Sequence, residues 1–250
     1  MPGWLVKWGV EQMMKIPSVI AHRGASGVAP ENTLAAFSRA ADLGAKGVEL
    51  DVNITSDGIA VVIHDETVER CSDGKGAVAE KTYSQIRELD AGKWFSDEFT
   101  GERIPTLKEA IDLIVKRGLF LNLEIKPSPG FDEQTAKVVS ADIEKYWPRD
   151  AQIIVSSFSQ TALSAFHQAL PQIPCAMISD NVPENWHQLL LQNDCVSFHM
   201  HYSAAKPDVV KDIKSAGYLV LAYTVDDPKI AKDLYAMGID SIFTNFPEKF

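Results

Sequence analysis

The sequence predicts an α/β fold, a (β/α)8 TIM barrel with a small capping insertion after the second strand, on three observations. Short apolar, β-branched runs alternate with amphipathic helical stretches. Eight such runs fit within 250 residues, the length of one barrel. No linker, repeat or low-complexity tract divides the chain, so residues 1–250 read as a single domain.

The strand candidates, in order, are 18–22, 47–52, 119–126, 152–158, 175–178, 195–199, 218–225 and 240–245. Helical patterns lie between them at 32–44, 106–118, 132–147, 159–170, 184–194, 207–217 and 227–238. Thr106 and Glu109 have capping-box spacing, and Gly44, Gly118, Gly217 and Gly238 stand where helices should stop. The rhythm breaks after the second strand. "GVELDVNITSDGIAVVIHD" holds two strand-like runs with no helix between them, and Asp57-Gly58 fits the two-residue type I′ turn of a hairpin. That turn pairs Ser56 with Ile59 and sets Asp51 opposite His64, on the face that Glu49 shares with Asp51. Residues 66–104 have no barrel rhythm beyond one helical piece, "KTYSQIREL", and an aromatic pair, Trp94-Phe95. They read as an insertion on the rim, acting as a cap. Met13-Met14 marks residues 1–15 as an N-terminal extension outside the main fold.

A net charge of −10 argues against nucleic acid or an anionic membrane as partner, and no apolar run reaches the ~20 residues of a membrane span. Cys71, Cys175 and Cys195 show no paired spacing and read as reduced thiols. The first residues lack a long apolar core and a cleavage site, so a cytoplasmic protein acting on a small molecule is expected.

Barrel chemistry gathers at the C-terminal strand ends. Those ends carry His22 and Arg23, then Glu49 and Asp51, then Glu124 and Lys126, with His64 returned by the hairpin. Three carboxylates converging from two strands need raised pKa values or a cation, and an all-oxygen set favours Mg²⁺ or Ca²⁺. The simpler alternative is that each carboxylate pairs with a lysine or arginine. His22 and His64, flanking the patch, fit a base and an acid, because imidazole titrates near neutrality. Arg23 and Lys126 fit an anionic group such as phosphate. Lys126 also fits a Schiff-base lysine, which leaves the carboxylate trio unexplained. Asn32 or Thr33 fits a helix N-cap, and Glu31 fits a partner that holds Arg23. His167 and His187 read as surface residues, and His199 lies at a strand end.

"AHRGASGVAPENT", "ELDVNITSDGIAVVIHD", "LNLEIKP", "VSSF", "YTVDD" and "LDAGKWF" resemble the glycerophosphodiester phosphodiesterase family, in particular its short cytosolic bacterial type. The likeness runs from about Val19 onward. It implies one divalent cation held by Glu49, Asp51 and Glu124, an acid–base pair of His22 and His64, and phosphate binding by Arg23 and Lys126. It also implies an insertion that shapes the glycerol end of the pocket. The substrates implied are glycerophosphodiesters such as glycerophosphocholine or glycerophosphoethanolamine, cleaved to glycerol 3-phosphate and an alcohol. The chain departs from the family at Thr244-Asn245-Phe246-Pro247, where Thr-Asp-x-Pro is common. Two rival readings use the same barrel: a phosphodiesterase of lysophospholipase D type, and a non-catalytic barrel that binds a phosphorylated ligand.

Overall fold

A computed structural model of the chain describes residues 15–250. Residues 1–14, most of the expected extension, lie outside the described residues. Eight parallel strands close into a barrel: β1 (Val19–Ala21), β2 (Gly47–Ile54), β4 (Phe120–Ile125), β5 (Ile153–Ser157), β6 (Cys175–Ser179), β7 (Cys195–His201), β8 (Leu219–Tyr223) and β9 (Ser241–Thr244). Each pairs with the next around the ring, and β1 closes it by pairing with both β9 and β2. The short run at 175–178 is a true barrel strand. Outside the strands lie α1 (Leu34–Asp42), α3 (Leu107–Lys116), α4 (Asp132–Tyr146), α5 (Gln160–Ala169), α6 (Trp186–Gln192), α7 (Pro207–Ser215) and α8 (Pro228–Met237).

Local sequence explains the helix limits. Thr106 accepts from the Glu109 N–H while the Glu109 carboxylate accepts from the Thr106 N–H, and Thr33, rather than Asn32, caps α1. Gly238 ends α8 in the left-handed region, φ 103°. Strand alternation then splits the apolar residues into two cores. One face packs against the helices with Leu50, Val52, Leu121, Leu123, Phe198 and Ala222, into which Phe37 and Phe166 insert. The other fills the barrel's interior with Ile20, Phe120, Ile154, Ala176, Leu221 and Phe243. Above that plug the same alternation places polar side chains in the barrel.

The hairpin forms, with β3 (Ala60–Val62) antiparallel to β2, but its register is one residue away from that expected. Val52 pairs with Val62 and Ile54 with Ala60. Only Gly58 takes a positive φ, 77°. Asp57 is held by its carboxylate, which accepts from the Thr55 hydroxyl at 2.6 Å and the Tyr83 N–H at 2.9 Å. The loop is therefore three residues long, a turn followed by a glycine bulge, with the Gly58 N–H bonded to the Thr55 carbonyl at 2.9 Å. Asp51 consequently faces Ile63, whose N–H reaches the Asp51 carbonyl at 2.9 Å, and not His64. A one-residue slip exchanges the two faces of a strand. It gives Val61 and Ile63 to a third apolar cluster with Val68, Val78, Ile86, Ala91 and Ile104. That cluster belongs to the segment following β3, which contains the short helix α2 (Tyr83–Arg87) and the edge-on pair Trp94 and Phe95.

Candidate active site

A cavity of about 300 Å³ opens at the C-terminal end of the barrel. His22, Arg23, Glu49, His64, Glu124 and Lys126 all line it. Asp51 stands beside them, one ligand atom of each carboxylate in the Glu49–Asp51–Glu124 set lying within 4.8 Å of the others. The backbone explains the convergence. Glu49 and Asp51 alternate on β2, Glu124 on β4 is the register partner of Asp51, and all three face the barrel axis.

The ion-pair alternative accounts for two of the three carboxylates. Asp51 lies 3.3 Å from Arg23 Nε and Glu124 lies 3.4 Å from Lys126 Nζ. Among the described residues Glu49 receives only the backbone N–H of Arg23, at 2.7 Å, and its other oxygen is buried with no partner. Burial, then Asp51 and Glu124, push the Glu49 carboxyl well above its ordinary range. Burial and Asp51 push Glu124 up to about 7. Burial also acts to raise Asp51, but Arg23, His64 and Lys126 outweigh it and hold that carboxyl low. An orphaned oxygen among three crowded carboxylates is a donor set that suits a hard divalent cation, so the residues fit one.

The loop after β1 is built tightly. Gly24 has φ 79°, and a Cβ there would stand 2.6 Å from the backbone carbon of Ala36. Arg23 itself has φ 55°, a conformation fixed by its N–H bond to Glu49 and its guanidinium bond to Glu31 at 2.8 Å. Asn32, φ 58°, donates to Asp51 Oδ2 at 2.8 Å and accepts from the Asp51 N–H at 3.3 Å. Its residue type suits a helix cap; its work here is to orient a carboxylate.

His22 Nδ1 lies 2.8 Å from Asn245 Oδ1. The Asn245 amide nitrogen donates to Asp226 at 2.8 Å, and a carboxylate can only accept, so the amide oxygen must face His22. Nδ1 therefore carries the hydrogen, and Nε2 is left as an acceptor. Burial, reinforced by Arg23, lowers this imidazole to about 4. His64 is half-buried, its Nδ1 lying 2.6 Å from Asp65. Burial lowers its pKa too, with Asp51 acting in opposition. Arg70 clasps Asp65 at 2.6 Å and Glu31 at 2.7 Å, so an unbroken chain of contacts runs from His64 through Asp65, Arg70, Glu31 and Arg23 to Asp51.

Several of these residues escape a reading of the sequence. Asn122 lines the cavity two positions before Glu124, where alternation alone could have found it. Asp65 and Asp226 lie within the motifs "ELDVNITSDGIAVVIHD" and "YTVDD" without alternation marking them, and Arg70 carries no signal at all. Nor does any one segment mark Phe158, Ile178, Asp180, His201 and Tyr223 as one cavity wall. Of the other histidines, His199 is buried on the cavity floor, where burial lowers it to about 3. His167 sits in α5, 3.3 Å from Asp194. Cys71, Cys175 and Cys195 are all free.

Fold and site together describe an α/β barrel whose C-terminal cavity is lined by two imidazoles and two cationic side chains beside a carboxylate cluster. Comparison narrows the class. The model of the glycerophosphoryl diester phosphodiesterase family matches residues 22–249. A glycerophosphodiester phosphodiesterase of Caldanaerobacter subterraneus subsp. tengcongensis is 39% identical over 92% of this chain and 94% of its own length. One from Bacillus altitudinis is 34% identical over 92% and 95%. The solved structure of an Oleispira antarctica phosphodiesterase in complex with the product sn-glycerol-3-phosphate superposes with a TM-score of 0.92 at 41% identity, covering 94% of this chain and 95% of that one. The chain belongs to the glycerophosphoryl diester phosphodiesterase family. It is an enzyme, a phosphoric diester hydrolase with glycerophosphodiester phosphodiesterase activity. No described helix is long and apolar enough to cross a membrane.

Proposed function

We propose that the chain hydrolyses glycerophosphodiesters such as glycerophosphocholine or glycerophosphoethanolamine to glycerol 3-phosphate and the free alcohol, with one divalent cation, Mg²⁺ or Ca²⁺, held by Glu49, Asp51 and Glu124. The observation that carries this reading is the crowded carboxylate set, with one Glu49 oxygen buried and unpartnered among the described residues, beside an imidazole from His22 and another from His64 on the same cavity. The product bound in the Oleispira relative supports glycerol 3-phosphate as the shared product. When bound, the cation supplies charge neutralisation for the phosphoryl oxygens and acidifies a coordinated hydroxyl.

His22 is the base. Its Nε2 takes the proton of the attacking hydroxyl as the new oxygen–phosphorus bond forms. The bond to the departing alcohol oxygen breaks with its electrons, and His64 Nε2 gives that oxygen a proton. Asp65 favours the imidazolium of His64, as a charge partner of the acid should. Where the attacking hydroxyl belongs to the glycerol, water then opens the cyclic product with the two roles exchanged. Arg23 and Lys126 face the phosphoryl oxygens and balance their charge. Residues 66–104 cap the rim at the glycerol end, and the reaction belongs to the cytoplasm.

The test is release of glycerol 3-phosphate from glycerophosphocholine with EDTA present, and then with Mg²⁺ or Ca²⁺ restored. Chelator-sensitive release recovered by metal is expected. Release that persists in EDTA would overturn the metal assignment. No release under any metal, alongside turnover of a lysophospholipid, would move the substrate to that class.

A further inference from the structure

We propose that the cavity wall formed by Phe158, Asp180 and Tyr223 is a subsite for a cationic alcohol, so that the enzyme selects an amino-alcohol phosphodiester over an uncharged one. The proposal rests on the phosphodiester reading of the site and adds what holds the leaving group.

The wall begins beside the carboxylates, where Phe158 follows β5 next to β4, and continues around the barrel mouth to Asp180 after β6 and Tyr223 at the end of β8. Glu49 and Glu124 project from β2 and β4, whereas Phe158, Asp180 and Tyr223 come from the ends of β5, β6 and β8. Phe158 is 45% exposed, unusual for a phenylalanine, and lines the cavity. Its ring already receives a cation, since Lys126 Nζ lies over it at 5.6 Å from the centroid. Tyr223 meets Phe158 edge-on at 6.3 Å and His201 at 5.9 Å, giving a wall of π faces and edges. The Tyr223 hydroxyl donates to Asp180 at 3.0 Å and fixes that carboxylate beside the rings. Asp180 takes part in no salt bridge among the described residues.

A phosphodiester has two ends. The hydroxyl-rich glycerol end suits the side with carboxylates and cations, which leaves the aromatic side for the alcohol. An acyl chain there would desolvate Asp180 without a partner. A carboxylate-bearing headgroup would meet a like charge. A quaternary or primary ammonium satisfies both components, because ring faces attract cations and the carboxylate adds an opposite charge. Its two-carbon spacing from the phosphate keeps both charges of the substrate within one small cavity.

The experiment compares glycerophosphocholine with the glycerophosphodiester of 3,3-dimethylbutanol, an isostere with carbon in place of nitrogen, as kcat/KM for glycerol 3-phosphate release. The full-length protein should prefer the cation by about tenfold or more. Asp180→Asn should bring that ratio close to one, and Phe158→Leu should lower it severalfold, mainly through KM of the choline substrate. A ratio within twofold of one in the unmodified protein, or a preference that survives Asp180→Asn, would overturn the subsite. Saturation-transfer NMR with choline and 3,3-dimethylbutanol alone needs no turnover. A choline signal that disappears in Asp180→Asn supports the subsite, and equal signals from both alcohols refute it. If neither diester is cleaved while choline still binds, the catalytic reading fails and the subsite stands.

Discussion

The two sides of the barrel mouth are built on opposite plans. On the side of β1, β2 and β4, nearly every charge is held by another: His64 by Asp65, Asp65 and Glu31 by Arg70, Arg23 by Glu31 and Asp51. The exception is Glu49, crowded, in no salt bridge among the described residues and with one oxygen lacking a partner there. On the side of β5 to β8 one hydrogen bond among the described residues, Tyr223 to Asp180, joins two wall residues, and Phe158, Ile178 and His201 make up the rest of the wall. A cross-braced lattice of charges is preorganised for charge that develops during reaction. A smooth aromatic face with one carboxylate recognises a bound group without having to change its charge. On the proposed reading the chemistry falls to one side and selection to the other, and mutations can separate the two.

The largest effect belongs to Glu49. Glu49→Gln should lower kcat/KM by about 10³-fold or more, as removal of the cation should. The same change removes the repulsion from Asp51 and Glu124, so the metal-free variant should melt higher than the metal-free parent. Loss of activity with a gain in apo-protein Tm, read by calorimetry in EDTA, is the expected pair. A lower Tm would show that Glu49 is a structural ion partner.

The histidines come next. His22→Ala and His64→Ala should each cost about 10²–10⁴-fold in kcat. Glycerophospho-p-nitrophenol, whose leaving group needs no proton, sharpens the assignment. It should restore most of the loss in His64→Ala and little of the loss in His22→Ala. Restoration in the His22 variant would exchange the two roles.

Smaller again are the cations. Lys126→Met should raise the barrier by about 2–4 kcal/mol, acting on kcat, whereas changes to the aromatic wall should act on KM. Lys126 should also resist borohydride trapping with substrate, and a trapped adduct would revive the Schiff-base alternative.

What the sequence made legible follows the same division. Alternation along a strand has a period of two, so "ELD" and "LNLEIK" located Glu49, Asp51, Glu124 and the cation beside them without any tertiary information. The barrel and its eight strands were legible for the same reason. The hairpin register was not, because Asp57-Gly58 fits both a two-residue and a three-residue loop. The choice fell to the bonds from Thr55 and Tyr83 to the Asp57 carboxylate. His64 still reaches the cavity, from beyond the end of β3 and not by pairing with Asp51. Phe158, Asp180 and Tyr223 come from separate strand ends; Phe158 and Tyr223 lie in the motifs "VSSF" and "YTVDD", but only closure of the barrel brings the three to one cavity. Asn32 shows a further limit, since a residue type suited to capping serves instead at a positive φ to hold Asp51.

The smallest effect tests the bracing itself. Arg70 touches no cavity-lining group directly, yet it closes the chain between His64 and Arg23. Burial acts to raise the Glu31 carboxyl, but Arg70 and Arg23 overcome it and hold it at about 2, while Arg70 and then His64 hold Asp65 at about 2. Both lie below their unfolded values, so their stabilisation is complete above the ordinary carboxylate range and is lost as pH falls toward about 2. Arg70 is half exposed, so solvent screens it and Arg70→Met should cost only about 1 kcal/mol near neutrality. The Tm difference between parent and variant should therefore shrink steadily below about pH 4.5. Activity should fall about tenfold, a loss in kcat, because Asp65 is left free to turn away from His64. Arg70→Lys retains the charge but cannot clasp both carboxylates at once, so it should recover stability more fully than kcat. Equal recovery of both would reduce Arg70 to a surface ion partner and leave His64 positioned by Asp65 alone.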